Sequence, residues 1–286
     1  MRNGNKPLLA TLILISSIAV AGCAAKDRNA TAAARLDPAR TAAGRQSPQI
    51  LLDEGYRALE NQQYNDAIAK ADQVLAAAPH GDGTPEALYL KGRSFEAKNA
   101  AGVTEEQATA NLQAAREAYI KALGENPRQP LNAYIRTSLG NVAYFQDDYQ
   151  TAISQLTAAY NNLDRDDLKA WALYRTGLSQ QRQGQFDQAD KTFAAVQQKH
   201  PSSLPAQRAR EHVGARAFYV QLATYAQPAT ADKAVADLKK QGVTAARVQS
   251  PQGNAYLRVG PIASYNQALY TRSRFLSKYP DALIIP

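Results

Sequence analysis

Cysteine is almost absent: Cys23 is the only one in 286 residues. No disulfide can close within the chain, and a thiolate metal cluster is excluded. Histidine is scarce as well. His80, His200 and His212 stand far apart, with no pair at the spacing a helix or a finger uses to hold a metal. Long hydrophobic runs are missing apart from one, the 14 residues from Leu8 to Ala21, and a bilayer-spanning helix needs roughly 20. Acids are outnumbered, with 25 Asp and Glu against 33 Lys and Arg and a formal charge of +8. That balance favours anionic partners, such as nucleic acid, anionic lipid or an acidic polymer, without choosing among them. The composition is otherwise that of a globular protein, and the length suggests about two domains.

Catalytic patterns are also missing. No Gly-x-Ser-x-Gly, His-Glu-x-x-His or phosphate loop occurs. The adjacent carboxylates Glu105-Glu106, Asp147-Asp148 and Asp166-Asp167 fall in polar turns or in an insertion, where they read as solvated loop charges. A hydrolase needs acids positioned in a pocket, and no such constellation is evident. His212 precedes the last domain without a partner in the sequence pattern. The expectation is a non-enzymatic protein with no cofactor and no metal.

The short apolar run has a purpose. Arg2 and Lys6 precede it without any acid, and small residues follow it, which describes an export signal. It ends Val20-Ala21-Gly22-Cys23, which resembles the bacterial lipobox. The resemblance implies cleavage before Cys23 and lipid on that cysteine. Each buried methylene contributes about 0.8 kcal/mol, so two or more chains anchor a protein for good. Ala24 rather than Asp at the next position implies, by the same resemblance, transport to the outer membrane, facing the periplasm. Residues 23–48, after a signal peptide at 1–22, are rich in Ala, Arg, Asn and Thr without apolar periodicity. They read as the lipidated cysteine and a flexible tether.

Residues 49–203 show a repeated spacing anchored on glycine. From Gly55, Tyr64 lies 9 residues on, Ala67 lies 12 on and Pro79 lies 24 on. From Gly177 the same offsets give Phe186, Ala189 and Pro201, and from Gly140 they give Tyr149 and Ala152 with Asp164 in place of the proline. Gly92 opens a fourth unit whose second half, Ala115, Tyr119, Ala122 and Pro127, is displaced by 11 residues, an insertion placed within 98–110. The glycine lets two helices approach, the aromatic starts the second helix, the alanine sits at the crossing, and the proline ends the pair. These units resemble tetratricopeptide repeats, helix pairs of about 34 residues. The match is weaker at Ala58, Ala143 and Gln180, where an aromatic is usual. One pair cannot bury its own apolar face, so four stack as an α solenoid. The resemblance implies a peptide-binding groove lined by the first helix of each pair, with Tyr89, Arg93, Tyr134, Asn141, Tyr144, Trp171 and Tyr174 as candidates. The protein partner is not identified.

After a link at 204–215, the pattern changes from helical to alternating over 216–286. Residues 217–224, 245–250, 255–260 and 282–285 read as strands, and 231–241 and 264–279 as helices, with Ser264 as a cap. The order is βαββαβ, an α+β ferredoxin-like domain. Two helices cover one face of such a sheet and leave the other open. Alternation places Val220, Leu222, Val248, Leu257 and Val259 under the helices. It places Tyr219, Gln221, Arg247, Gln249, Tyr256 and Arg258 on the open face. The domain holds nine Lys and Arg against three Asp, a local charge of +6.

Two stretches, Tyr219-Val220-Gln221-Leu222-Ala223-Thr224-Tyr225 and Leu257-Arg258-Val259-Gly260-Pro261, resemble the SPOR domain of bacterial cell-wall proteins. The departures are Ala223 for Gly, Thr224 for Ser and Ile262 for an aromatic. The resemblance implies binding to peptidoglycan glycan strands stripped of their stem peptides, which accumulate at division septa. The chemistry agrees, because removing the peptide exposes a lactyl carboxylate on each muramic sugar. Arg258 and Arg247 suit carboxylates, Tyr219 and Tyr256 suit sugar faces, and Gln221, Thr224 and Gln249 suit hydroxyls and N-acetyl groups. The βαββαβ plan also serves RNA recognition, but the aromatic motif of that module is absent and an exported chain is not expected to meet nucleic acid. The sequence therefore describes a lipid-anchored envelope protein that binds glycan and a protein partner. The alternative is an assembly or secretion scaffold acting through its repeats, with the last domain as a general wall tether.

Overall fold

The computed structural model describes residues 47–99, 103–249 and 253–286. Cys23, the expected signal and the expected tether up to residue 46 lie outside them, while Ser47 and Pro48, read as the end of the tether, cap and begin the first helix. The chain divides into two compact units at 172/173. Among the described residues, no helix is long and apolar enough to cross a membrane.

The first unit is built of antiparallel helix pairs. Helices α1 (Pro48–Glu60) and α2 (Tyr64–Ala77) form the first, α3 (Thr84–Ala97) and α4 (Glu105–Gly124) the second, and α5 (Leu131–Phe145) and α6 (Tyr149–Tyr160) the third. Helix α7 (Asp166–Arg182) begins the fourth. Each spacing found in the sequence has a structural counterpart. Tyr64, Tyr149 and Phe186 are the first residues of their helices. Ala67, Ala115, Ala152 and Ala189 are fully buried. The insertion after Gly92 becomes a longer connection and extra turns on α4, whose start is fixed by a capping box between Thr104 and Gln107.

The second unit contains the C-terminal part of α7, then α8 (Phe186–Lys199), the short α9 (Leu204–Ala209) and the sheet domain. Ser203 caps α9 within the segment read as a link. The sheet domain runs β1 (Phe218–Tyr225), α10 (Pro228–Lys240), β2 (Ala245–Gln249), β3 (Ala255–Ile262), α11 (Tyr265–Phe275) and β4 (Leu283–Ile285). Its strand order is β2-β3-β1-β4, all pairs antiparallel. This is the βαββαβ ferredoxin-like sheet that the sequence predicts. Ser264 caps α11 through Gln267, as expected, although the helix stops at Phe275 and not at Tyr279.

Phe218, Val220, Leu222, Leu257 and Val259 form the buried layer with Leu238 of α10 and Ala268 of α11. Phe186 of the last repeat packs against the same core, with its ring 5.5 Å from that of Phe218. Arg182 lies over the Tyr265 ring at 4.4 Å, and Asp190 accepts from the Gly214 backbone N–H and from Arg216. The last helix pair and the sheet domain therefore share one packed seam.

His212 belongs to that seam. Its Nε2 meets the Tyr174 hydroxyl at 3.2 Å, its Nδ1 meets Gln181 Oε1 at 3.0 Å, and its ring stacks on Phe193. Burial, with the Arg182 charge nearby, pushes its pKa down to about 4. The unfolded chain binds this proton near pH 6.5 and the folded chain resists it, so stability is full above about 6.5 and falls as the pH drops towards 4. The largest loss this shift allows is about 3 kcal/mol, reduced by the residue's partial exposure. Melting curves from pH 7 to pH 4 should show the slope, and His212→Leu should flatten it.

Candidate functional site

The two registers of β3 define the open face, because residues paired across antiparallel strands share a side. Gln221 pairs with Arg258, and Thr224 pairs with Tyr256. Ala246 also pairs with Arg258, and Val248 with Tyr256. On the other side of β1, Leu283 pairs with Gln221 and Ile285 with Tyr219. Tyr219, Gln221, Thr224, Tyr256 and Arg258 thus lie together on the uncovered side.

Arg258 stands at the centre of the face. Its Nε donates to Gln221 Oε1 at 3.2 Å, and its guanidinium carbon lies 5.1 Å from the Tyr256 ring centre. It is half-buried. The two contacts hold the planar fork in place and leave further N–H groups to meet a carboxylate. Among the described residues that the register places on this face, Arg258 is the one charged side chain.

A bulge decides the position of Thr224. Strict alternation from Tyr219 and Gln221 would turn Thr224 towards the helices, but the register slips between Gln221 and Ala223. Leu222 and Ala223 both fall opposite Leu257, and the extra residue reverses the phase. Thr224 emerges beside Tyr256, while Ala223 and Tyr225 join the core. A second irregularity lies at Gly260, whose φ is +138°. A Cβ there would sit 2.8 Å from Tyr219 Cδ1 and 3.0 Å from the Phe218 carbonyl oxygen. Glycine is required so that the backbone can pass beneath the Tyr219 ring.

Two expected members of the site stand elsewhere. Arg247 pairs with Leu257 and Gln249 with Ala255, so both lie on the helix-bearing side. Arg247 Nε donates to Asp232 of α10 at 2.7 Å, and its Nη1 donates to Gln249 Oε1. Val248, expected under the helices, takes their place on the open side. The cause is the phase of a short edge strand: Val243, just before β2, and Ala245 supply its core contacts.

The groove candidates of the repeats are dispersed. Tyr144 and Tyr174 are buried, 7% and 6% exposed, and their rings pack against Tyr149 and Phe193. They fill helix seams, which differs from the expected groove lining, because a large ring packed against a neighbouring ring is removed from water. Tyr89, Tyr134, Asn141 and Trp171 are half-buried, and the Tyr134 hydroxyl donates to Asp164. Arg93 sits in a polar cluster. Its Nη1 donates to the Tyr89 hydroxyl at 3.3 Å, its Nε lies 3.6 Å from Glu96, and Tyr119 donates to Glu96 at 2.8 Å. Burial opposes the Arg93 charge, but the oxygens of Tyr89 and Glu96 hold its pKa above the usual value. Burial and Glu96 likewise raise the pKa of Tyr119. Among the described residues, no group of three or more potential metal ligands is gathered.

Residues 214–286 match the model of the SPOR domain, and residues 171–203 match that of the tetratricopeptide repeat. The chain thus carries a SPOR domain, a member of a peptidoglycan-binding family, behind helical repeats of a kind that bind proteins. It is a two-domain binding protein. No curated protein matches the chain. Among solved structures, it is similar to a thermophilic TPR protein of Thermus thermophilus at 18% identity and a TM-score of 0.45, over 58% of this chain and 81% of that one. YrrB, a TPR protein with an unusual peptide-binding site, gives 19% identity and a TM-score of 0.47 over 59% and 75%. The MamA protein gives 19% and 0.46 over 84% and 98%.

Proposed function

We propose that this protein is a cell-envelope adaptor without enzymatic activity. Lipid on Cys23 tethers it to the outer membrane, facing the periplasm. The open sheet face of the SPOR domain holds glycan strands that have lost their stem peptides, as at a division septum. The repeats hold a protein partner and bring it to that site. The observation that carries this reading is Arg258, a single guanidinium oriented by Gln221 and Tyr256 at the centre of an otherwise uncharged face. The lactyl carboxylate of a muramic sugar is free only after its peptide is removed, so a cation oriented at the level of the sugar ring meets a charge there on stripped strands alone.

The test is co-sedimentation of the unacylated chain, residues 24–286, with purified sacculi before and after amidase treatment. Retention should rise with amidase. Equal retention on both would remove stripped glycan as the ligand.

The scaffold alternative draws on the extent of the repeats, which occupy most of the described chain. Arg258→Ala separates the two readings better than deletion of the domain, because deletion would uncover Phe186. A cell that keeps its phenotype with the point variant would favour the scaffold.

A further inference from the structure

The open face continues past its polar centre onto β4, and the sequence pattern gives no warning of it. Leu283-Ile284-Ile285 is a continuous apolar run without alternation. Register separates its members: Ile284 pairs with Val220 and joins the core, while Leu283 and Ile285 pair with Gln221 and Tyr219 on the open side. Leu283 is 52% exposed. Leu283, Ile285 and Tyr219 adjoin on this side, so the exposed apolar surface is a continuous strip beside the polar cluster rather than one isolated side chain. The row Arg258, Gln221, Leu283 crosses three adjacent strands.

We infer that Leu283 and Ile285 form, with Tyr219, an apolar shelf that takes the uncharged sugar next to the one whose carboxylate meets Arg258. The inference rests on the reading of this face as a glycan site. Strands lie about 4.8 Å apart, so Leu283 stands about 10 Å from the Arg258 backbone across the sheet. The contact with Gln221 brings the Arg258 guanidinium towards β1, one strand from Leu283, and that shorter span reaches the neighbouring sugar. A stripped strand alternates a carboxylate-bearing sugar with an uncharged one, and the face alternates in the same way, with one cation and then an apolar strip. Sugar rings offer C–H faces to such a strip, and N-acetyl methyl groups offer more. Other anionic polymers with a charge on every unit would place their second charge against Leu283 and Ile285, where no described residue of this face pairs with it.

The test titrates soluble amidase-released glycan into residues 24–286 at two salt concentrations, with Leu283→Ala, Leu283→Met and Arg258→Gln beside the parent. Leu283→Ala should weaken binding about tenfold, equally at both salt levels, since apolar contact is not screened. Leu283→Met should stay within about twofold of the parent, because it conserves volume. The Arg258→Gln loss should shrink as salt rises. Parent binding that Leu283→Ala leaves unchanged would overturn the shelf and keep the glycan site. No binding by the parent would overturn both. A parent dimer that Leu283→Ala dissolves would assign the strip to a second copy of the chain and overturn the shelf, whatever the glycan result. Melting temperatures within about 2 °C of the parent would show that the variants fold.

Discussion

Arg258→Ala should weaken retention on amidase-treated glycan by about tenfold to a hundredfold, with little change in melting temperature. A hydrogen bond to a charged group contributes about 1.5–3 kcal/mol, and about 1.4 kcal/mol is a factor of ten. Arg258 is half-buried on the open side, away from the hydrophobic layer of Val220, Leu222 and Leu257. Its replacement removes the one charge on the face and leaves Gln221 Oε1 without its donor. Arg258→Lys should recover part of the affinity. An ammonium supplies the charge but neither the planar fork nor the same contact with Tyr256. Gln221→Ala should cost less than Arg258→Ala, since it removes the orienting contact and keeps the charge. Comparable losses from Gln221→Ala and Arg258→Ala would mean that orientation, rather than charge, dominates.

The second large effect concerns the repeats. Gly92→Val should destabilise the protein by about 3 kcal/mol, whereas Gly124→Ala should stabilise it by about 0.5–1 kcal/mol. A Cβ at Gly92 would stand 2.4 Å from Tyr119 Cε1 and 2.7 Å from its Cδ1. Tyr119 is fully buried, and its hydroxyl is held by Glu96, so the ring has nowhere to move. Replacing a helical glycine ordinarily gains about 1 kcal/mol, but that gain is smaller than the cost of forcing two helices apart. Gly124 ends α4 with nothing within 4 Å of a built Cβ, so there the gain stands alone. Urea denaturation of both variants measures the contrast. A stable Gly92→Val chain would show that the helix pair does not close on this glycine.

The same contact explains why the repeats were legible. Gly140 faces Leu156 and Gly177 faces Phe193, each 16 residues on, while Gly92 faces Tyr119, displaced by the insertion. A close approach of helices demands a glycine on one side and admits a large side chain on the other, so the spacing survives in the sequence. At Gly55 the partner position holds Ala71, and Leu90 from α3 fills the space instead, 2.5 Å from a built Cβ. The order of elements along the chain and the sides of Val220, Leu257 and Arg258 are legible for a similar reason: their alternation is regular and one face is apolar.

What escaped was phase. Arg247 and Gln249 were expected on the open face because Val248 is the strongest apolar residue of β2. An edge strand with two alanines carries little information about which side faces the core, and Val243, which settles it, precedes the strand. Leu283 escaped because its strand is apolar throughout. Thr224, named for the site through the family resemblance, reaches the open face only through a bulge, which nothing in Leu222-Ala223 announces. The seam around His212 joins Tyr174 and Gln181 to a residue more than 30 positions later, and no local pattern records such a contact.

Recognition of a lactyl carboxylate by Arg258 is tested by the affinity of residues 24–286 for one soluble glycan preparation offered in two forms. One form carries free lactyl carboxylates, and the other has the same carboxylates converted to amides. The protein should bind the free form, with a loss of at least about tenfold on amidation, equal to the loss caused by Arg258→Ala. Equal affinity for both forms would contradict this, because the one cation on the open face would then have no part in recognition.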